Sequence, residues 1–152
     1  MFKVGLYERE ITPLFGNNLA GYFNARPVSG VKDKTHAKAA VIEAEGKKLA
    51  MLSVDACMLD EQTIGAIRKR VSLYSDIKDE LLLISATHSH TAAPGAIDPP
   101  ESTREIDEFY LKWLAMAAAD TVLCANQRLA RAKISFTETE ISGTTFVRNY
   151  LT

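Results

Sequence analysis

At 152 residues the chain suits a single domain. Its 47% apolar and 24% charged residues are an ordinary globular balance, which excludes a largely disordered polymer. The formal net charge is −1 and the basic residues are scattered, so neither nucleic acid nor a charged membrane surface is indicated as a partner.

The first ten residues become charged before any long apolar run develops, and no stretch is long enough to span a membrane. The expectation is a cytoplasmic protein without a signal peptide, or an exported one if the start methionine is not the natural one. Phe2, Val4 and Leu6 alternate as in a half-buried strand, which Ile11-Thr12-Pro13 stops because proline has no amide hydrogen to donate. Gly16 to Gly30 is rich in Gly, Asn and Pro and reads as a long irregular loop, uncommon unless it serves a site. Ala37 to Ala44 and Lys48 to Val54 flank Glu45-Gly46-Lys47 and predict an antiparallel hairpin. Asp60 caps a predicted helix with Ile64, Ile67, Val71 and Tyr74 on one face.

Leu81 to Ile84 is a continuous apolar run, predicting a strand buried on both faces. Ser102-Thr103-Arg104-Glu105 matches a capping box and opens a helix to about Arg128. Its expected buried stripe is Ile106, Phe109/Tyr110, Trp113, Ala117, Thr121 and Cys124. Lys133 to Ile141 alternates again and predicts a last strand. The fold class is therefore α/β, a mixed β-sheet with helices packed on it, in one domain over residues 1–152. The segment Phe146 to Thr152 is neither a polar tail nor a capped helix end, which suggests that the natural protein continues.

Chemistry concentrates in Ser85-Ala86-Thr87-His88-Ser89-His90-Thr91-Ala92-Ala93-Pro94-Gly95, where two of the three histidines follow a strand. In extended backbone, side chains at i and i+2 share a face, so both imidazoles can converge on one point. Neutral imidazole suits zinc, and sites in α/β proteins gather where loops leave the sheet. On spacing alone the pair is either part of a metal site or two polar residues opening a loop. Two ligands do not complete a catalytic zinc site, which usually has three from protein. His36 reads as a surface or packing residue, and Asp55 as a carboxylate that orients a strand end. Cys57 and Cys124 lie far apart without a companion Cys or His at metal-site spacing, and read as buried thiols of a reducing compartment.

These residues also carry a family resemblance. Glu10-Ile11-Thr12-Pro13 resembles the Asp-Ile-Thr-Pro element of neutral/alkaline non-lysosomal ceramidases, and Ala20-Gly21-Tyr22 resembles their Met/Ala-Gly-Tyr. Gly30-Val31-Lys32-Asp33 with Ala37 to Ile42 is similar to their Gly-Val/Ile-His and Ala-Arg-Ala-Phe-Val stretch, and Ser53-Val54-Asp55 to a strand ending in Asp. Ala86-Thr87-His88-Ser89-His90 with Pro94-Gly95 resembles their Ala-Thr-His-Thr-His-Ser-Gly-Pro-Gly, and Phe146-Val147-Arg148-Asn149 their Asn-Arg element.

The resemblance implies a zinc amidase acting on ceramide or a related N-acyl compound, hence sphingolipid metabolism, with this chain as the first half of a larger α/β catalytic domain. By motif position His88 would be a zinc ligand, and His90 would hydrogen-bond beside the metal. Gly21 would line the substrate pocket, and Arg148 would bring positive charge to the reacting group. The family's nucleophilic serine and its remaining zinc ligands lie beyond this chain, so the rest of the domain or another chain would complete the site. The chain alone is then expected to bind its one zinc poorly. Lys32 in place of His, one extra residue in Thr91-Ala92-Ala93, and Asn149 in place of Arg or Ser depart from the family pattern and leave the substrate open. The alternative is a non-catalytic fragment, or a binding or structural domain of the same fold.

Overall fold

The computed structural model describes residues 1–22, 24–92, 94 and 100–144. Strands β1 (Lys3–Glu10), β2 (His36–Ala44) and β3 (Lys47–Val54) pair antiparallel. Helix α1 (Glu61–Tyr74) and a short 3₁₀ turn (Asp79–Leu81) then carry the chain to β4 (Leu82–Ala86), parallel to β3. Helix α2 (Arg104–Gln127) precedes β5 (Ala130–Arg131), and the sheet order is β4-β3-β2-β1-β5. The mixed sheet with packed helices is the expected fold class.

The hairpin turns on two residues with positive φ, Glu45 at 51° and Gly46 at 74°, between paired Ala44 and Lys47. That backbone follows the right-handed twist of the strands it joins. Asp60 caps α1, its carboxylate accepting from the Thr63 amide at 2.5 Å. The buried stripe of α1 is Thr63, Ile67 and Val71, while Tyr74 is exposed and offers its ring to Arg70.

Helix α2 covers one face of the sheet with Tyr110, Leu114, Ala117, Ala118, Thr121, Val122 and Ala125. Thr103, rather than Ser102, is the N-cap, and its hydroxyl donates to the Pro100 carbonyl instead of closing a capping box. Phe109 and Trp113 sit outside the core and line an apolar hollow of about 450 Å³ with Leu14 and Tyr110. Asp107 points inward in place of the expected Ile106 because it has partners there, described below.

Two predicted strands differ. The run at Leu81 to Ile84 is buried on one face only, with Leu83 at 59% exposure, since β4 is an edge strand and both helices lie on the same side. Leu83 continues a row across the outer face through Met51, Ala40 and Leu6. Residues 132–142 form no strand, and Ile134, Phe136 and Ile141 are exposed. Advancing along β5 retreats along β1, and the pairing reaches Phe2 already at Ala132. The alternating residues therefore run past the start of β1.

The helix C-terminus meets β1 at Gly5, where an added Cβ would lie 2.0 Å from the Ala125 carbonyl oxygen and 3.1 Å from the Arg128 carbonyl carbon. Both neighbours are backbone and cannot rotate away. Gly5→Ala is expected to destabilise the fold by about 3 kcal/mol or more, at the upper end of overpacking penalties. Chemical denaturation measures it, and an unchanged midpoint would refute this contact.

Candidate active site

The parallel pairing of β3 and β4 sets their carboxyl ends side by side, and both chains leave the sheet there. Backbone bonds hold the two departing segments together, Thr87 N to Val54 O at 3.0 Å and Ser89 N to Ala56 O at 3.2 Å. Asp55 closes the neighbouring corner, its carboxylate accepting from the His36 amide at 2.9 Å. This is the strand-orienting role expected of it, and His36 remains a half-buried residue of β2 outside the cluster that follows.

His88 and His90 do meet, with ring centroids 4.9 Å apart and Nε2 atoms 3.3 Å apart. They do not meet by strand alternation. β4 ends at Ala86, and His88 has φ of 60°, a left-handed conformation that turns the chain so the rings face each other. His88 Nδ1 lies 2.8 Å from the Cys57 carbonyl oxygen. A carbonyl only accepts, so Nδ1 carries the proton and Nε2 presents a lone pair. His90 Nε2 lies beside that lone pair, 3.3 Å away.

Gly21 lies against the His90 ring. An added Cβ would stand 2.4 Å from Nδ1, and the residue's φ of 89° favours glycine in any case. Tyr22 meets His90 edge-on, with ring centroids 5.8 Å apart. The Gly16 to Gly30 loop is anchored from below by Asp107, whose fully buried carboxylate accepts from Asn17 Nδ2 and the Asn18 amide, both at 2.8 Å. Asn18 Oδ1 accepts in turn from the Arg26 amide at 2.7 Å. The Arg26 guanidinium stacks 3.9 Å over Tyr22, and Nη2 reaches the His90 carbonyl oxygen at 3.5 Å.

The Glu10-Ile11-Thr12-Pro13 element frames the far side. Ile11 is fully buried, and its carbonyl accepts from the Tyr110 hydroxyl, whose burial pushes its pKa up and keeps it a donor. Hydrogen bonds from Lys34 and then Thr12 hold the Glu10 carboxyl below its usual range. A cleft of about 420 Å³ opens between this element and the histidine loop, lined in part by Thr12, Val28, Lys34, Asp55, Ser89 and Thr91.

The structure thus brings His88, His90 and Gly21 together, while Arg148 lies outside the described residues. Composition and spacing did not single out Arg26, Asp107 or Cys57. Cys57 in particular is 31 positions from His88, and only the β3–β4 pairing makes them neighbours.

Fold and site together define an α/β domain with a candidate metal centre at the carboxyl ends of two parallel strands. Residues 2–151 match the family described as neutral/alkaline non-lysosomal ceramidase, N-terminal, and the chain belongs to that family. It is 31% identical over 99 residues to a neutral ceramidase of Oryza sativa subsp. japonica, a match over 62% of this chain and 12% of the relative. Its fold is that of a solved ceramidase complexed with C2, with a TM-score of 0.71 and 22% identity over 84% of this chain and 21% of the other. The neutral ceramidase of Pseudomonas aeruginosa superimposes with a TM-score of 0.66 and 20% identity, over 84% of this chain and 22% of that structure. The match covers between 12% and 22% of the length of these relatives.

Gly21→Ala tests the loop's contact with the ring. It is expected to displace His90, to shift its imidazole NMR resonances, and to lower stability by about 1 kcal/mol. Resonances that stay in place would show that Gly21 does not support His90.

Proposed function

We propose that the chain is the amino-terminal portion of a zinc-dependent amide hydrolase of the ceramidase type, acting on an N-acyl lipid amide. The observation that carries this is the tautomer of His88: its Nδ1 is committed to the Cys57 carbonyl, so a lone pair on Nε2 faces outward beside a second imidazole. A backbone carbonyl behind a histidine is a common partner in zinc sites, where it fixes the ring and the tautomer. The donor chemistry therefore fits zinc, with His88 as the ligand. When bound, zinc supplies Lewis acidity that polarises an amide carbonyl.

The chain's own residues then divide the remaining work. His90 keeps a proton on Nε2 and aims it at the space in front of His88, where it stabilises negative charge developing on the amide oxygen. Gly21 lets the loop lie flat against that ring and leaves the approach open to substrate. Arg148 is assigned a cationic role beside the same oxygen, on its motif position alone.

The rest of the catalytic domain supplies the nucleophile and the other ligands in this reading. Support for a larger domain comes from the apolar row Leu6, Ala40, Met51 and Leu83 on the sheet face without helices, together with the much longer relatives. A row of apolar side chains on an exposed sheet face is a surface that another layer can cover.

The test uses the full catalytic domain of which these residues form the first part. His88→Ala is expected to lose zinc by elemental analysis. His90→Ala is expected to retain it while turnover of an N-acyl sphingoid substrate falls by about 100- to 1,000-fold, the usual effect of removing one donor to a developing oxyanion. Undiminished zinc in the His88 variant would end the proposal. Full metal content with no amide hydrolysis in the unmutated domain would favour a non-catalytic binding domain instead.

A further inference from the structure

Among the described residues, one hydrogen bond joins the Gly16 to Gly30 loop to the histidine segment, from Arg26 Nη2 to the His90 carbonyl oxygen at 3.5 Å. The loop's other contacts with His90 are the backbone of Gly21 against the ring and the ring of Tyr22 edge-on to it, and neither is a directional bond. We infer that Arg26 is a positioning residue for His90: its guanidinium ties the loop to the His90 backbone and so fixes where that imidazole stands. The catalytic consequence rests on the role proposed for His90 above, while the placement itself does not.

The half-buried Arg26 is itself held at both of its backbone groups. Its amide donates to Asn18 Oδ1 at 2.7 Å, and its carbonyl accepts from the Leu19 amide at 2.9 Å. Asn18 in turn donates its own amide to the buried carboxylate of Asp107 at 2.8 Å, and it bridges to Pro27. Arg26 therefore stands on the anchored base of the loop, with Gly21 and Tyr22 carried between Asn18 and Pro27. From there its side chain folds back over Tyr22, with the guanidinium carbon 3.9 Å from the ring centroid. A planar guanidinium stacks on a ring through its face and donates through N–H groups that lie in its plane. One side chain thus presses on Tyr22 and holds the His90 carbonyl together. A lysine ammonium has no flat face and offers no such combination. At 3.5 Å the bond is long, and the charge on the donor strengthens it. Arg26 meets the backbone of His90, so its effect passes through that residue.

NMR of the 152-residue chain reads the placement directly. Arg26→Ala is expected to shift the imidazole resonances of His90, while those of His36, which lies outside the cluster, stay in place. Arg26→Lys keeps the charge and gives a second variant should the first misfold. It is expected to move the His90 resonances as the alanine variant does, because the stacked geometry is lost with the guanidinium. His90 resonances unmoved by Arg26→Ala, or standing at their unmutated positions in Arg26→Lys, would overturn the inference.

Kinetics of the full catalytic domain read the consequence. Arg26→Ala is expected to keep its zinc and its KM while kcat falls by about 10- to 100-fold, the effect of displacing a catalytic group by about 1 Å. In a His90→Ala background the same substitution is expected to bring no further loss, since residues that act through one group are not additive. Losses that multiply would give Arg26 a role independent of His90 and overturn the inference, as would an undiminished kcat in Arg26→Ala. An unmutated domain that hydrolyses no amide would end the function proposed above, and the His90 resonances of the chain would still decide the placement.

Discussion

The side-by-side exit of β3 and β4 is the constraint on which the candidate site depends. An antiparallel partner would have sent residues 55–57 and 87–90 to opposite ends of the sheet. Parallel pairing requires a crossover, which α1 provides, and it aligns Val54 with Ala86 so that both chains leave at one level. From that register follow the backbone bonds between the two exits and the fixed tautomer of His88. The chemistry is thus set by topology before any side chain is considered.

A second constraint comes from the opposite direction. The loop that carries Gly21 has little regular structure, and a loop of that length needs anchors to hold a position. Its main anchor is a carboxylate on α2, fully removed from solvent, which gathers the Asn17 side chain and the Asn18 amide. Both bonds go to Asp107 Oδ1, while Oδ2 is buried without a partner, so the loop is tied through a single oxygen of a buried carboxylate. Helix α2 can be placed so accurately because its alanine face and Gly5 let it lie close on the sheet. Two elements distant in sequence therefore present one glycine to one imidazole.

The hairpin, the capped α1, the long α2 and the mixed sheet were legible because each has a local cause: a glycine in the turn, Asp60 before an apolar stripe, alternation in β1. The errors fall where a neighbour decided the outcome. Lys133 to Ile141 has the alternation of a strand, but the direction of β5 carries it past the start of β1. Leu81 to Ile84 has the composition of a strand covered twice, but its outer side faces no helix among the described residues. Asp107 is missing from the stripe expected of α2 because nothing in its own helix announces Asn17, 90 positions earlier. For the site, the paired histidines and Gly21 could be read from motifs, whereas Cys57 and Arg26 could not. Their relevance exists only after the sheet and the loop have formed.

His88 shows how these constraints combine. A left-handed backbone at a residue other than glycine is unfavourable by roughly 1–2 kcal/mol, and asparagine or glycine would adopt it more easily. Histidine is retained there while its ring is held from behind by a carbonyl and faced in front by a second imidazole. An extended conformation at the same position would follow strand geometry and carry the ring away from Cys57. The strained dihedral is therefore the local consequence of aiming one nitrogen at a carbonyl and the other at the open face. The surrounding bonds at Thr87 and Ser89 supply the rigidity that keeps it so. The strained dihedral thus stands directly after the end of β4, where the chain turns from the sheet into the loop.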